Sequence, residues 1–306
     1  MADIKVYGTL KNATQSGKLA YAEQVFDTEQ NKTQAEINRV VGSSGKSRFK
    51  VVCWNLGNFS LGQSGDPTIT PANFNEMRAK WRDAICGIGA DIFLACEYNT
   101  NFMDAQGGDD AVTARVALFG PEIYQVAEIG PAPADNAYVQ TAIFANLPLS
   151  ASRIVYFSQT YQASRYYQVT ETTINGRVVK IISTHLDFIP PDGTEEQKDA
   201  VHQIRIAQIN ELISECDDVE YAIICGDFNI NYIADIGDYD IFKDAGFGMA
   251  NHGYLGNIFT APAGDSAYMV LDNIVYKGFT SAKIGTLNDA TLSDHMALFA
   301  DLTMDI

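Results

Sequence analysis

An acid and an amide stand two residues apart at the end of an apolar run. Tyr221-Ala222-Ile223-Ile224-Cys225 leads through Gly226 to Asp227, Phe228 and Asn229. Residues i and i+2 of an extended segment point the same way, so Asp227 and Asn229 can enter one pocket at a strand end. Near the C-terminus, Ser293-Asp294-His295 offers a second acid beside an imidazole. Three further segments end in the same manner. Asn55 follows Val51-Val52-Cys53-Trp54, Glu97 follows Ile92-Phe93-Leu94-Ala95-Cys96, and His185 follows Lys180-Ile181-Ile182-Ser183-Thr184. A lone acid at a strand end is most often a cap or turn residue; five such segments in one chain form a constellation. Carboxylates, amides and imidazoles without a nucleophilic serine or cysteine suit metal-assisted attack of water on phosphorus.

The elements that must position these groups are legible from residue 49 onward. Phe49 to Asn55 reads as a strand, and Asp91 to Glu97 as the next. Between them Pro71 opens a helix whose apolar face is Phe74, Met77, Trp81, Ile85 and Ile88. Tyr138 to Ala145 and Arg153 to Phe157 read as strands. Tyr167 to Ile174 and Arg177 to Thr184 flank Asn175-Gly176, a strong hairpin signal. Thr194-Glu195-Glu196-Gln197 is a capping box that starts a helix running to about Cys216. Tyr268 to Tyr276, Ser281 to Leu287 and Met296 to Leu302 are late strands. Hairpins mixed with strand–helix units predict an α/β domain in which two mixed sheets are flanked by helices.

Residues 1–47 differ in character from residues 48–306, which we expect to be the catalytic domain. The first part is polar and ends in Gly42-Ser43-Ser44-Gly45-Lys46-Ser47, a linker-like stretch. Its segment from Ala20 to Val41 has a helical cast, and it is similar to an N-terminal prefix of phage structural proteins. An attachment to a phage particle or self-association through this segment is the expectation that follows. Gly45-Lys46-Ser47 is not a phosphate loop, because Val40 stands where the leading glycine belongs and a strand follows instead of a helix.

Composition narrows the classes. The chain has 306 residues, 46% of them hydrophobic, which fills a sizeable core. No apolar run is long enough to span a membrane, and no signal peptide is visible, which points to a cytoplasmic or phage-associated product. Five cysteines, none in a CxxC pair, read as buried free thiols. The net charge of −17 argues against tight binding of nucleic acid through basic side chains. It is compatible with a hydrolase that meets phosphate through a cation in an acidic pocket.

The order and local sequences of Asn55, Glu97, His185, Gly226–Asn229, Asp272 and Ser293–His295 resemble the endonuclease/exonuclease/phosphatase superfamily over about residues 49 to 304. The resemblance implies a four-layer α/β sandwich like that of deoxyribonuclease I. It makes Glu97 the main Mg²⁺ ligand, with Asn55 beside it and Asp294 a further ligand, and Mn²⁺ a substitute ion. It puts Asp227 and Asn229 near the attacking water and phosphate oxygens, and makes Asp272 the acid that orients His295. His295 acts as base or phosphate contact, and His185 either protonates the leaving oxygen or binds the phosphate. Asn99 and His252 are candidate substrate contacts. Asp187 is a candidate pocket residue. Tyr161, Tyr166 and Tyr167 either stack on a base or pack at a strand edge, and His202 is read as a surface or interface residue. Named subfamilies fit less well. The tryptophan that abasic-site nucleases carry before the Asp272 position is replaced by Met269-Val270-Leu271, and Asn99 stands where they carry lysine. The expected activity is Mg²⁺-dependent hydrolysis of a phosphodiester, with nucleic acid bound weakly through the metal. The alternatives are a phosphomonoesterase or phospholipid-head-group hydrolase, and a non-catalytic phage structural protein.

Overall fold

The computed structural model describes residues 26–27, 32–33, 46–57, 74–98, 124, 126–134, 139–161, 163–190, 192–231, 236–251, 260–262, 268–287 and 292–305. Asn99 and His252, like Pro71 and most of residues 1–47, lie outside them. Within the stretch expected to be helical, Phe26–Asp27 and Lys32–Thr33 pair as a two-residue antiparallel ladder.

Twelve strands form two six-stranded mixed sheets. They are β1 (Lys46–Asn55), β2 (Ile92–Cys96), β3 (Val126–Ile129), β4 (Ala142–Ala145), β5 (Arg153–Tyr156), β6 (Tyr166–Ile174), β7 (Arg177–His185), β8 (Tyr221–Asp227), β9 (Gly248–Met249), β10 (Asp272–Lys277), β11 (Phe279–Leu287) and β12 (Ala297–Asp305). The first sheet runs β11-β12-β1-β2-β4-β3, the second β9-β10-β8-β7-β6-β5. Only β1–β2 and β7–β8 are parallel pairs. Among the described residues three helices accompany them: α1 (Phe74–Ile88), α2 (Glu195–Glu215) and α3 (Ile236–Asp244).

Alternation along the strands builds four layers. Val51 and Cys53 of β1 pack inward with Leu94, Ile181, Ile223, Cys225, Ile274 and Leu298, the core between the sheets. Val52 and Trp54 turn the other way, onto Trp81, Ile85 and Ile88 of α1. Ile182 and Ile224 likewise face Ile209 and Leu212 of α2 and Tyr239 and Phe242 of α3. Fully burying one such side chain is worth about 1.5–3 kcal/mol, so a register slip of one residue would exchange whole rows and is strongly resisted.

Local chemistry sets the edges of these elements. Asn175 and Gly176 both take positive φ (51° and 76°), as the type I′ hairpin turn demands. Thr194 caps α2, its side chain accepting from Gln197 N while the Gln197 side chain accepts from Thr194 N. β1 begins at Lys46, where Lys46 and Ser47 pair with Asp305 and Met304, so the expected linker ends inside a strand. The single strand expected over Tyr268–Tyr276 is split. Tyr268–Met269 pairs with Ala261–Pro262, and β10 starts afresh at Asp272. Thr260 Oγ1 accepts from both Leu271 N and Asp272 N at 3.0 Å and so satisfies the backbone at the break. Among the described residues no helix is long and apolar enough to cross a membrane.

Candidate active site

The inward row of each central strand ends in a polar residue at the same edge of the inter-sheet core. Val51 and Cys53 are followed in that row by Asn55, Val179 and Ile181 by His185, Ile223 and Cys225 by Asp227, and Ile274 is preceded by Asp272. Register fixes their neighbours. Asp227 lies opposite His185 on one side and Asp272 on the other, as the last pair of both ladders. Gly226 permits this closeness: a Cβ there would sit 2.0 Å from Thr184 O on β7.

The Asn55 amide gathers the acids. Its Nδ2 donates to Glu97 Oε1 and to Asp227 Oδ2, each at 3.0 Å, and its Oδ1 accepts from Gly57 N at 3.0 Å. The amide nitrogen, and not the oxygen, therefore faces the carboxylates. Glu97 stands one residue past β2 with φ 51°, and Asn229 two past β8 with φ 52°. Two non-glycine residues in the left-handed region cost about 1 kcal/mol or more each and must be held by their surroundings. Asn229 is held twice, its N–H donating to Asp227 Oδ1 (2.8 Å) and its Nδ2 to Leu186 O (2.9 Å). Buried Arg205 of α2 adds a bond to Asn229 O.

The loop before β12 brings in Asp294 and His295. Ser293 Oγ donates to Asn55 O (2.7 Å) and accepts from His295 N (3.0 Å), and Trp54 Nε1 donates to His295 O (3.0 Å). His295 Nδ1 meets Asp272 Oδ2 at 2.7 Å, leaving Nε2 3.8 Å from Asp227 Oδ2. His185 Nε2 lies 3.6 Å from the same Asp227 oxygen, and its Nδ1 4.0 Å from Glu97 Oε1. Asp294 is exposed at the mouth, 3.0 Å from where a Cβ on Gly57 would be.

Electrostatics follow from this packing. Burial pushes the Glu97 carboxyl up to about 7, the Asn55 bond and His295 opposing, Asp227 and Asp294 adding to it. Burial also acts against the Asp227 charge, yet His295, His185, the Asn229 N–H and the Asn55 amide together hold it below the usual carboxylate range. Asp272 is pushed to about 6 by burial against the pull of His295. Burial works to lower His295, but Asp272, Asp227 and Asp294 outweigh it and raise it to about 10. At neutral pH the pocket holds an imidazolium bonded to Asp272 and facing an ionised Asp227.

Asp227, Asp272 and His295 each offer one atom within 4.8 Å of the others. His295 Nδ1 and Asp272 Oδ2 already occupy each other, so this trio is better read as a hydrogen-bonded pair against a carboxylate. The Glu97 and Asp227 carboxylates, gathered by the Asn55 amide, are the pair of oxygen groups that could hold an ion. A cation there would take oxygen ligands, which fits a hard divalent ion, and it would relieve the burial that raises Glu97.

The structure thus brings Asn55, Glu97, His185, Asp227, Asn229, Asp272 and His295 together, with Asp294 at the rim. Asp187 is not a pocket residue: its carboxylate is buried in an ion pair with Arg165 (2.9 Å) and accepts from Gln208 Nε2 (2.8 Å). Sequence reasoning missed Arg165 and Gln208, which the fold brings to Asp187 from just before β6 and from α2 with no local signal. Ser293 and Thr260 act through single hydroxyls that no pattern marks. Tyr166 and Tyr167 pack as buried side chains, and His202 pairs with Asp238 of α3 at 2.6 Å.

A family model described as the endonuclease/exonuclease/phosphatase family matches residues 54–295. No curated protein sequence matches the chain. Among solved structures, a family protein from Bacteroides thetaiotaomicron superposes with a TM-score of 0.62 at 14% identity, over 86% of this chain and 98% of that one. One from Beutenbergia cavernae gives 0.61 at 14%, over 84% and 72%. D. rerio TDP2 complexed with a single-strand DNA product gives 0.60 at 15%, over 84% and 99%. At these identities the likeness is one of fold.

Proposed function

The chain belongs to the endonuclease/exonuclease/phosphatase family, and on that premise we propose that it hydrolyses phosphodiester bonds of nucleic acid with the help of a divalent cation, Mg²⁺ or Mn²⁺. The observation that carries the reading is the single Asn55 amide bridging Glu97 and Asp227 beside the Asp272–His295 pair. Family membership supports a phosphoesterase in general. The likeness in fold to a protein captured with single-strand DNA supports nucleic acid as the substrate class.

Each residue has a task that its geometry suits. Glu97, with Asp227 beside it, would hold the cation, which when bound neutralises phosphate charge and polarises the phosphorus. Asp227 stays ionised at neutral pH and accepts a proton from the attacking water, its second oxygen fixed by the Asn229 N–H. His295, charged and tautomerically fixed through Nδ1 by Asp272, presents Nε2–H to a phosphate oxygen, where negative charge grows in the transition state. His185, on the opposite side of Asp227, is placed to contact the phosphate or the leaving oxygen.

The test is turnover of single-strand DNA, RNA, bis-p-nitrophenyl phosphate and p-nitrophenyl phosphate, with Mg²⁺, with Mn²⁺ and with EDTA. Metal-dependent cleavage of the diesters, lost in Asp227→Asn, is expected. Diester turnover in excess EDTA would overturn the metal mechanism, and cleavage of the monoester alone would make the protein a phosphatase.

A further inference from the structure

We propose that Phe188, assisted by Tyr161, whose backbone is tied to Asp187 next to it, is a stacking subsite for a base that flanks the scissile phosphate of a single-stranded nucleic acid. The inference rests on the phosphodiesterase reading above and adds how an acidic protein would grip such a strand.

Three large apolar side chains are exposed among the described residues. Tyr156 lies against the Tyr166 ring (5.8 Å), and Val178 is at the hairpin end of β7, the far end from the site. Phe188 is different. It is 47% exposed, makes no ring contact among the described residues, and follows His185 by three positions. Two residues before it, Leu186 O accepts the Asn229 amide and Leu186 N donates to Asp227 O (3.0 Å), so its segment is tied directly to the site.

That segment is also locked from beneath. Asp187 Oδ1 accepts from Arg165 Nε, and its Oδ2 accepts from Gln208 Nε2 and from Tyr161 N (3.2 Å). Gln208 Oε1 accepts from Asp187 N (3.2 Å), and Arg165 Nη1 donates to His185 O (3.1 Å). Arg165, Asp187 and Gln208 are all buried. One carboxylate thus ties the backbone of half-buried Tyr161 to Asp187, the residue before Phe188. A buried ion pair is a poor source of net stability, and a role in fixing geometry accounts for its presence. Aromatic rings on a rigid backbone bind with little loss of entropy.

The charge balance calls for such a device. At −17 the chain has little to gain from counterion release. Arg165, Lys180 and Arg205 are buried and engaged with Asp187, with Glu215 and Asp218, and with Asp238 respectively. Stacking needs no positive charge and tolerates any base.

The experiment compares two single-strand DNA oligonucleotides in Mg²⁺, one with normal bases and one with tetrahydrofuran residues in place of the nucleosides flanking the cleaved bond. The wild type should show a KM about 5- to 100-fold higher on the base-free strand. In Phe188→Ala that ratio should fall toward 1, and Phe188→Trp should restore it where Phe188→Leu does not. Tyr161→Ala should reduce it in part. A wild-type ratio near 1, or an unchanged ratio in Phe188→Ala, overturns the subsite while leaving the phosphodiesterase reading intact. No cleavage of either strand by the wild type overturns both.

Discussion

Replacing Glu97 by Gln should stabilise the metal-free protein while abolishing its activity. The carboxyl, 21% exposed, is pushed from 4.5 to about 7 chiefly by burial. The folded state therefore binds more protons than the unfolded one between those values. The favourable contribution is full below about 4.5 and is lost as pH rises through about 7. At pH 8 the ionised group costs the folded state about 3 kcal/mol, reduced by solvent at the pocket mouth to about 1–3 kcal/mol. Glutamine keeps an oxygen for the Asn55 amide and carries no charge. In EDTA at pH 8, Glu97→Gln should melt about 2–5 °C above the wild type, and most of the gap should close by pH 5. In saturating Mg²⁺ the order should reverse, because the wild type gains about 2.7 kcal/mol at a hundredfold excess over its Kd and the variant gains little. Urea titrations across this pH range, with and without Mg²⁺, supply the numbers. A variant no more stable than the wild type in EDTA at pH 8, or a gap independent of pH, would refute the picture of a desolvated acid awaiting a cation.

The Asp272–His295 pair should act as one unit, so Asp272→Asn, His295→Ala and the double variant should lower kcat by similar factors in place of multiplying; independent effects would show that the 2.7 Å bond is not functional. Gly226→Ala should cost about 1–3 kcal/mol in urea unfolding, because its Cβ would lie 2.0 Å from Thr184 O and must part β7 from β8 just where Asp227 and His185 meet; wild-type stability and turnover would show that the contact relaxes freely. A chain beginning at Ser44 should keep its turnover, whereas one beginning at Val51 should unfold more readily, since it removes the β1 residues paired with Asp301–Asp305; equal melting temperatures would argue that this end of the ladder is dispensable. His295, raised to about 10, stabilises the fold fully below about pH 6.5 and loses that contribution as pH rises through about 10, so His295→Ala should flatten the decline of stability between pH 7 and pH 10, and an unchanged slope would assign it to other groups.

Much of this was legible because periodicity of two is simple. Val51–Cys53–Asn55 and Ile223–Cys225–Asp227 are visible in the sequence as inward rows whose last member turns polar, and the hairpin at Asn175-Gly176 follows from two residues. The capping box at Thr194 was equally plain. What escaped notice depended on contacts made across the fold. β3 and β9 are too short to carry a period, and α3 is a nine-residue helix with a weak apolar face. The break at Val270-Leu271 needs the Thr260 hydroxyl, which arrives from eleven residues away. Asp187 looked like a pocket residue by its distance from His185, and no local signal shows that Arg165 and Gln208 claim it. The left-handed Glu97 and Asn229 were invisible for the same reason, since their conformation is imposed by partners on other strands.

The site and the core are consequently one construction. Each central strand delivers its functional group by continuing the row that packs the two sheets, so the position of Asn55, His185, Asp227 and Asp272 is set by the burial of Cys53, Ile181, Cys225 and Ile274. Such rows cannot slip without turning the core outward, which gives the carboxylates a rigidity that loops could not supply. The same burial makes their charges costly, as the raised Glu97 and Asp272 record. The cost is offset locally in part, by one amide shared between Glu97 and Asp227 and by one imidazolium placed against Asp227 and Asp272. The remainder stays as a demand for positive charge at the pocket, which the proposed divalent cation would meet. If the proposed cation binds there, relief of that cost adds to its affinity, so a substitution that removes the buried charge should weaken metal binding as it stabilises the empty site.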